Sequence, residues 1–313
     1  MTAPVQKATP DAIAAAADVL GRGGLVAVPT ETVYGLAADA ANPDAVARLY
    51  EVKGRPRFNP LIAHVNGPEM AKREAVLEGA AAFAAGFYWP GPLTLVLPAA
   101  PSGRVCDLAR AGLDTIALRH PSHSVAHDLV TVFGGPLVAP SANLSGRISP
   151  VTAGDVAADL GARIDLILDG GRCPVGIEST IVSFVGDPPE LLRPGGLDPA
   201  ALERFLGVRL ARPGEDAASP RAPGQLARHY APNAQLRLNA VSAHADEVLL
   251  GFGPVAGASA NLSPSGNLAE AAANLFAMLR WLDRRHERIA ISPIPQEGLG
   301  EAINDRLRRA AAR

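Results

Sequence analysis

Cysteine is nearly absent from this sequence: only Cys106 and Cys173 occur among its 313 residues. They lie far apart and form no Cys-x-x-Cys pair, so they build neither a disulfide framework nor a cysteine-based zinc site. Long apolar runs are also missing, and none approaches the roughly 20 residues that a helix needs to cross a bilayer. The first ten residues lack the basic segment and apolar core of a secretory signal. We therefore expect a cytoplasmic protein that makes no contact with a membrane.

An excess of positive charge is missing too, since the formal net charge is −2. A protein that holds RNA mainly through its phosphates is expected to be basic, so a large nucleic-acid footprint is disfavoured. The chain contains no Walker A loop, GxGxxG fingerprint, nucleophile elbow or cluster of metal ligands. These absences argue against the common nucleotide-binding folds, covalent catalysis and a protein-held metal. The composition, 48% hydrophobic and 19% charged, is that of a globular protein.

Short apolar segments alternate with predicted helices through most of the sequence. Thr9, Asn42, Thr152 and Asp198 stand where helix N-caps are expected, and proline follows three of them. This alternation predicts an α/β fold, a sheet covered by helices, and leaves open which strands are antiparallel. The predicted strands of this part are Leu25–Val28, Pro136–Ala139, Asp165–Leu168 and Thr180–Val185.

The composition changes near residue 211 and indicates two domains. Residues 211–235 are rich in proline and glycine and lack apolar periodicity, which is typical of a linker. We therefore predict a first domain over residues 1–210 and a smaller α/β domain over residues 236–313. Its predicted strands and helices are Leu236–Leu238, Val248–Leu250, Arg288–Ile291, Leu268–His286 and Leu299–Ala312.

The segment PTETVYGL, from Pro29 to Leu36, directly follows the first predicted strand. It brings hydroxyl groups and the carboxylate of Glu31 to the exit of a strand, where open α/β sheets bind their ligands. The alternative is a polar turn with helix-capping threonines, and this segment alone leaves both interpretations open.

A basic loop, KGRPRFNP, runs from Lys53 to Pro60. Lys53, Arg55 and Arg57 alternate along it, so an extended backbone would direct all three to one side. Cations gathered on one side repel each other unless an anion neutralises them, and phosphates suit that role. The alternative is a solvated loop, although two prolines and a glycine restrict its shape.

Later segments carry a similar set of polar groups. Arg119 ends an apolar run, so its charge needs a partner at the rim of a core. That partner is either an anionic ligand or one of the chain's own acids. Hydroxyl and amide donors surround Ser141 and Ser179, and Arg193 precedes Pro-Gly-Gly. These residue types suit the binding of phosphates and of a small polar substrate.

Together and in this order, the six segments resemble the threonylcarbamoyl-AMP synthase family, built on the YrdC-like domain. Each motif is weak alone, but their order is specific. RHYAP, from Arg228 to Pro232, and PIPQEGLG, from Pro293 to Gly300, extend the resemblance over nearly the whole chain and mark the long, two-domain form. The resemblance implies a YrdC-like twisted open sheet with helices, followed by a small Rossmann-like α/β domain, with the linker acting as a lid over the nucleotide.

The resemblance also implies a nucleotidyltransferase reaction. L-threonine, bicarbonate and ATP with Mg2+ give threonylcarbamoyl-AMP and pyrophosphate, for the threonylcarbamoyladenosine modification of tRNA. The product passes to downstream tRNA threonylcarbamoyl-transferase machinery, and direct tRNA binding is expected to be weak or absent. No protein-held metal and no tightly bound organic cofactor are implied. The implied threonine-binding residues are Thr32, His64, Arg119, Ala139 and Ser179. The implied ATP-binding residues are Arg55, Asn59, Thr115, Ser141, Ser149, Arg193 and Tyr230. The implied catalytic group consists of Lys53, Arg55, Ser141 and Asn143.

Two other functions compete with this one. A hydrogenase-maturation carbamoyltransferase also uses a YrdC-like domain, but such proteins are far longer and carry zinc-binding cysteine pairs. An RNA-binding or ribosome-maturation module would use the concave pocket as a groove, which the net charge of −2 disfavours.

Overall fold

The helices of the first domain begin at the capping residues that the sequence indicates. The computed structural model describes residues 3–212, 221–224 and 229–312. The side chain of Asn42 accepts from the backbone N–H of Asp44, and Thr152 forms a capping box with Asp155. The helices of this domain are α1 (Pro10–Gly21), α2 (Pro43–Lys53), α3 (Pro68–Glu74), α4 (Gly79–Tyr88), α5 (Asp107–Arg110), α6 (Ser124–Phe133), α7 (Ala153–Leu160) and α8 (Pro199–Leu206).

Within the described residues, the strands of the first domain form one mixed sheet of ten. They are β1 (Val5–Lys7), β2 (Val26–Pro29), β3 (Tyr34–Asp39), β4 (Ile62–His64), β5 (Leu93–Pro98), β6 (Thr115–Arg119), β7 (Leu137–Val138), β8 (Leu166–Asp169), β9 (Thr180–Ser183) and β10 (Glu190–Arg193). Their order across the sheet is β1-β8-β2-β3-β7-β4-β6-β5-β9-β10. The pairs β4/β6 and β5/β9 are parallel, whereas β5/β6 and β9/β10 are antiparallel. The end of β6 therefore lies at the same edge of the sheet as the start of β9 and the end of β10.

The C-terminal domain has the small parallel sheet of a Rossmann-like unit. Its elements are β11 (Gln235–Arg237), β12 (Val248–Gly251), β13 (Ala260–Asn261), α9 (Leu268–Asp283), β14 (Arg288–Ile291) and α10 (Leu299–Ala311). The strand order is β11-β14-β12-β13, and every pair is parallel. The strands and helices predicted for this region are confirmed, and β13 is an addition to them.

The apolar cores of the two domains are continuous. One cluster of buried side chains contains Leu36 and Leu168 of the first domain together with Leu275 and Ile303 of α9 and α10. Gly176, in the loop before β9, lies close to the backbone of α9. A Cβ atom on this glycine would lie 2.5 Å from the Cα of Ala273 in α9. The C-terminal domain therefore packs directly against the segment that leads into β9.

Candidate active site

A cavity with an empty volume of about 480 Å³ lies where the polar segments of the first domain converge. The lining combines side chains from strand ends of the first domain with four residues that follow it in the chain. The lining residues are Thr32, Val33, Arg55, Ile62, His64, Arg119, Ala139, Pro140, Ser141, Glu178, Ser179, Arg193, Pro223, Gly224, His229 and Tyr230.

All five residues predicted to hold threonine line this cavity. His64 and Arg119 end the parallel strands β4 and β6 and stand opposite each other in the register. Ser179 immediately precedes β9, and its hydroxyl lies 2.8 Å from that of Thr94. Burial, followed by the charge of Arg119, lowers the pKa of His64 well below its ordinary value. The imidazole of His64 is therefore neutral at pH 7 and adds no charge to the site.

Arg119 finds the acidic partner that the sequence requires. Its Nη2 lies 2.8 Å from Oε1 of Glu31, and both side chains are buried. Neither of these two atoms makes a hydrogen bond, although Oε2 of Glu31 accepts the backbone N–H of Ser122 at 3.1 Å. Of the two partners left open by the sequence, the protein itself supplies the acid, and an N–H of Arg119 stays available for an anionic ligand.

Two further arginines bring positive charge to the other part of the wall. Arg193 donates from Nη2 to the backbone oxygen of Ser179 at 2.9 Å and to its hydroxyl at 3.2 Å. Arg55 donates from Nη2 to the oxygen of Pro60 at 2.9 Å. Burial, with a smaller contribution from the charge of Arg193, lowers the pKa of Arg55 to about 10. Both guanidinium groups thus remain charged at pH 7 and favour an anion in the cavity.

Lys53 supports the loop that carries Ser141. Its Nζ donates to the backbone oxygens of Ser141 and Asn143, at 2.5 and 2.6 Å. The side chain is buried, and burial followed by the charge of Arg55 lowers its pKa well below the ordinary value. Ser141 lines the cavity, whereas Lys53 and Asn143 stand behind it. Asn143 holds the same loop by donating to the oxygens of Leu144 and Arg147, each at 2.8 Å.

The expectation that Lys53, Arg55 and Arg57 face one side is wrong. Lys53 and Arg55 are buried, but Arg57 is exposed. The backbone is not extended here, because Lys53 ends α2 and Gly54 caps it with a left-handed conformation at φ +59°. This turn brings two of the three cations inward and leaves the third in solvent.

Three residues predicted to contact ATP lie outside the cavity lining. Asn59 is buried beside the Arg55 loop, and neither atom of its side-chain amide has a partner. Ser149 is buried and donates to Oε1 of Glu178 at 2.5 Å. Thr115 begins β6, at the opposite end of the strand from Arg119. The cavity therefore gathers four of the seven predicted ATP residues, Arg55, Ser141, Arg193 and Tyr230.

Part of the predicted linker covers the cavity. Pro223, Gly224, His229 and Tyr230 belong to its lining, whereas Arg228 and residues 213–220 lie outside the described residues. Burial, opposed in part by the charge of Arg306, raises the pKa of Tyr230 to about 12. The ring of Tyr230 stacks on Phe276 of α9, with 5.5 Å between centroids. The tyrosine that closes this side of the cavity thus rests on the C-terminal domain.

Three residues at or next to the site have no role in the predictions made from the sequence. Glu178 and His229 line the cavity, and Arg306 of α10 pairs with Glu178 at 3.0 Å. Glu178 directly precedes the predicted contact Ser179, and His229 precedes the predicted contact Tyr230 within RHYAP, so these neighbouring positions were the available signal. Arg306 carried no signal, because its partner is 128 positions away in the chain.

The arrangement suits binding more than covalent chemistry. Three buried arginines, hydroxyls and two neutral histidines, His64 and His229, line one cavity, as expected of a site for a carboxylate together with phosphates. Among the described residues there is no group of three His, Cys, Asp or Glu side chains that could hold a metal. Fold and site together define an α/β protein with a positively charged small-molecule cavity at the ends of its strands.

Comparison with known proteins identifies the family. The family described as Telomere recombination (Sua5_yciO_yrdC) matches residues 18–195, and the Threonylcarbamoyl-AMP synthase C-terminal domain matches residues 198–312. The chain therefore belongs to the threonylcarbamoyl-AMP synthase family, in its two-domain form. The predicted fold class, with its YrdC-like domain and small second domain, is confirmed.

Individual relatives agree with this assignment. The threonylcarbamoyl-AMP synthase of Pyrococcus abyssi is 39% identical over 319 residues, covering 95% of this chain and 93% of its own. The crystal structure of P. abyssi Sua5 complexed with L-threonine matches with a TM-score of 0.90 and 36% identity, over 99% of this chain and 97% of that one. A shorter threonylcarbamoyl-AMP synthase, from Halorhodospira halophila, is 43% identical over 156 residues, covering 50% of this chain and 81% of its own. The predicted activity, that of a threonylcarbamoyl-AMP synthase, is confirmed.

The sequence also predicts that no helix of this chain crosses a membrane. Among the described residues, none of the helices combines the length and the apolar character that crossing a bilayer requires.

Proposed function

We propose that the described cavity is where this chain joins L-threonine, bicarbonate and ATP into threonylcarbamoyl-AMP and pyrophosphate. The observation that carries the proposal is the meeting of five threonine-binding candidates with Arg55, Arg193 and Ser141 in one cavity beneath Tyr230. Among the lining residues that the structure describes, no covalent nucleophile stands with its base, so in this proposal the enzyme acts by placing its substrates and stabilising charge.

Threonine lies between the ends of β4 and β6 in this proposal. Arg119 binds the substrate carboxylate through the N–H that Glu31 leaves without a hydrogen bond. Thr32 and Ser179 offer hydroxyls to the side chain and amine of the substrate, and His64 and Ala139 complete the wall. A neutral His64 is suited to the amine, because a second cation there would repel a protonated amine.

The triphosphate lies along the arginine-rich part of the wall. Arg55, Arg193 and Ser141 contact the phosphates, and Tyr230 covers the nucleotide. Lys53 and Asn143 belong to the same unit because they hold the Ser141 loop. Asn59, Thr115 and Ser149, which lie outside the cavity lining, receive the remaining parts of the nucleotide. The two unpartnered amide atoms of buried Asn59 favour a ligand there, since buried polar groups are rarely left without hydrogen bonds.

The reaction then follows in two steps. The amine of threonine takes up bicarbonate with loss of water and gives a carbamate. A carbamate oxygen attacks the α-phosphate of ATP, a new P–O bond forms, and the bond to the leaving pyrophosphate breaks. Arg55 and Arg193 offset the charge that develops on the transferring and leaving groups. Closure by Tyr230 keeps water away from the mixed anhydride that results.

Mg2+ enters as part of the Mg–ATP substrate. Glu178 is the one carboxylate among the described lining residues, and it is engaged by Ser149 and Arg306. It therefore does not suit the role of a metal ligand, and the donors that remain are the phosphates and water, which Mg2+ commonly retains in such sites.

Mass spectrometry of the purified protein with ATP, Mg2+, bicarbonate and L-threonine tests the proposal. We expect an adenylate that depends on both threonine and bicarbonate, with one pyrophosphate released for each adenylate formed. L-serine in place of threonine is the control for substrate specificity. Untouched ATP, or ATP consumed without threonine, would contradict the proposal and favour carbamoyl-phosphate chemistry or RNA binding instead.

The product then passes to the tRNA threonylcarbamoyl-transferase machinery of the cytoplasm, and direct contact with tRNA is weak. A filter-binding titration with tRNA distinguishes this from an RNA-binding function. Affinity that falls steeply as salt is raised, at sub-micromolar protein, would revive the RNA-binding alternative.

A further inference from the structure

The side chain of Arg306 crosses from the C-terminal domain into the wall of the active site. It belongs to α10 and has no exposed surface. Its Nε donates to Oε2 of Glu178 at 3.0 Å, and its Nη1 donates to the backbone oxygen of Pro194 at 2.6 Å. Its guanidinium carbon lies 5.5 Å from the ring centroid of Tyr230. Every partner just named is in the cavity wall or adjacent to Arg193 in the chain.

From these contacts we propose that Arg306 is a positioning residue of the ATP site, which neutralises Glu178 and fixes the places of Glu178 and Tyr230. The proposal rests on the nucleotide position proposed above. Arg306 does not line the cavity itself, so it acts through its neighbours and not on the reacting atoms.

Charge balance gives the physical reason. Glu178 faces a cavity whose other charged lining residues are arginines, and a triphosphate bound there would meet its negative charge. Arg306, which does not line the cavity, places a positive charge 3.0 Å from that carboxylate and also pairs with its neighbour Asp305 at 3.0 Å. Burial alone would raise the pKa of Glu178, but Arg306 and then Arg193 outweigh it and lower the pKa, so the carboxylate stays ionised. Without Arg306, Glu178 would lose the larger of its two compensating charges and keep only that of Arg193, so its carboxylate would repel ATP more strongly.

Geometry gives a second reason. The other oxygen of Glu178 accepts a hydrogen bond from the hydroxyl of Ser149 at 2.5 Å. The guanidinium of Arg306 therefore holds Glu178 directly and Ser149 through Glu178. The same segment is held from α9, where Nε of Arg280 donates to the backbone oxygen of Ser149 at 3.3 Å and its Nη2 donates to that of Ile148. Both helices of the C-terminal domain therefore converge on one part of the active site, with Arg306 supplying the charge.

The simpler alternative is that Arg306 only joins the two domains. A residue that only joins the domains should change the amount of folded enzyme, and it should change the KM values for ATP and for threonine to the same extent. Substitution of a positioning residue of the ATP site should change the KM for ATP more than the KM for threonine. Because the shorter relative from H. halophila is named for the same activity while covering 50% of this chain, we expect impaired binding and not abolished chemistry.

The test compares Arg306→Ala and Arg306→Lys with the whole wild-type chain. Arg308→Ala is the matched control, since Arg308 is an exposed arginine of the same helix. Pyrophosphate release is measured with ATP and threonine varied separately, and thermal melting checks that each variant is folded. We expect Arg306→Ala to raise the KM for ATP about tenfold or more, with less than about threefold change for threonine. Arg306→Lys keeps the charge, so its KM for ATP should lie between those of the wild type and Arg306→Ala.

A second substitution, Glu178→Gln, tests whether the charge of Glu178 causes the effect of Arg306→Ala. In Arg306→Ala/Glu178→Gln the repelling carboxylate is gone, so the KM for ATP should recover by about threefold or more relative to Arg306→Ala. A double variant no better than Arg306→Ala, or equal effects of Arg306→Ala on both substrates, would overturn the proposal. Should Arg306→Ala fail to fold, the same comparison is made with Arg306→Gln, which also removes the charge, alone and with Glu178→Gln.

Calorimetric titration with ATP separates this proposal from the proposed function. If the wild type forms no threonylcarbamoyl-AMP but binds ATP, the function is contradicted while the effect of Arg306→Ala on the Kd for ATP still tests its positioning role. An unchanged Kd for ATP in a folded Arg306→Ala variant would overturn the positioning role even where the wild type makes the adenylate.

Discussion

Arg119 and Glu31 form a buried ion pair with 2.8 Å between Nη2 and Oε1, yet neither atom makes a hydrogen bond. The position of Glu31 is fixed by the backbone N–H of Ser122. The pair thus compensates the charge of Arg119 inside the protein and leaves part of its hydrogen-bonding capacity for a ligand carboxylate. A single arginine can therefore be tolerated at the end of β6 and still bind threonine.

Removal of the Arg119 guanidinium should weaken threonine binding. We expect Arg119→Ala to reduce the affinity by about 2–5 kcal/mol, or roughly 30-fold to 5,000-fold, because the substrate carboxylate would be left unpaired. Isothermal calorimetry with L-threonine measures this. Arg48→Ala is the control, since Arg48 pairs with Asp165 in a partly exposed bridge away from the cavity. Normal threonine affinity in Arg119→Ala would contradict the role given to this residue.

The ion pair itself should be visible in the stability of the protein. Glu31→Gln and Arg119→Met each leave one buried charge without its partner, so each should lower the free energy of unfolding by about 3–5 kcal/mol. The combined variant removes both charges and should be clearly more stable than the sum of the single effects predicts. Urea unfolding of the four proteins completes this double-mutant cycle. Additive effects would mean that the two charges do not stabilise each other.

The features that the sequence predicts correctly are mostly those that depend on residues close together in the chain. Asn42 and Thr152 cap helices through contacts within three residues, and both predictions are confirmed. The cavity residues at strand ends were also accessible, because open α/β sheets bind ligands there. Arg57 was assigned wrongly because the direction of its side chain depends on the turn at Gly54.

Contacts between residues far apart in the chain could not be predicted from local sequence patterns. The contacts of Arg306 with Glu178 and Pro194 join positions 128 and 112 residues apart. An arginine in the last helix of a chain, read alone, indicates an exposed cation, since arginine is rarely buried without a partner. Only the packing of α10 against the first domain brings that partner within reach, and no local pattern encodes it.

Lys53 provides a test of how the Ser141 loop is held. We expect Lys53→Met to lower kcat/KM for pyrophosphate release on the order of 100-fold, because two buried carbonyls lose their donor and Ser141 shifts. Steady-state assays of pyrophosphate release measure this effect. Lys72→Met, at an exposed lysine of α3, is the control and should leave the rate unchanged. A rate near that of the wild type in Lys53→Met would show that the loop keeps its place without the ammonium.

Histidine burial should make the stability depend on pH. Burial lowers the pKa of His229 from 6.5 to about 3, so between these values the unfolded chain binds a proton that the folded protein does not. The free energy of unfolding must then fall as the pH is lowered below 6.5, by about 1.4 kcal/mol per pH unit for this residue. From pH 7 to pH 5 the loss from His229 alone is about 2 kcal/mol.

The variant that tests this is His229→Gln, which keeps a polar side chain and removes the titration. Urea unfolding at pH 7 and pH 5 should show a loss of stability smaller by about 2 kcal/mol than in the wild type. His286→Gln is the control for the substitution itself, because His286 is an exposed histidine of the C-terminal domain. His64 is buried neutral as well, so part of the pH dependence should persist in His229→Gln. Equal pH dependence in His229→Gln and the wild type would mean that His229 does not stay neutral in the folded protein, and the charge balance around Glu178 would then include a further cation.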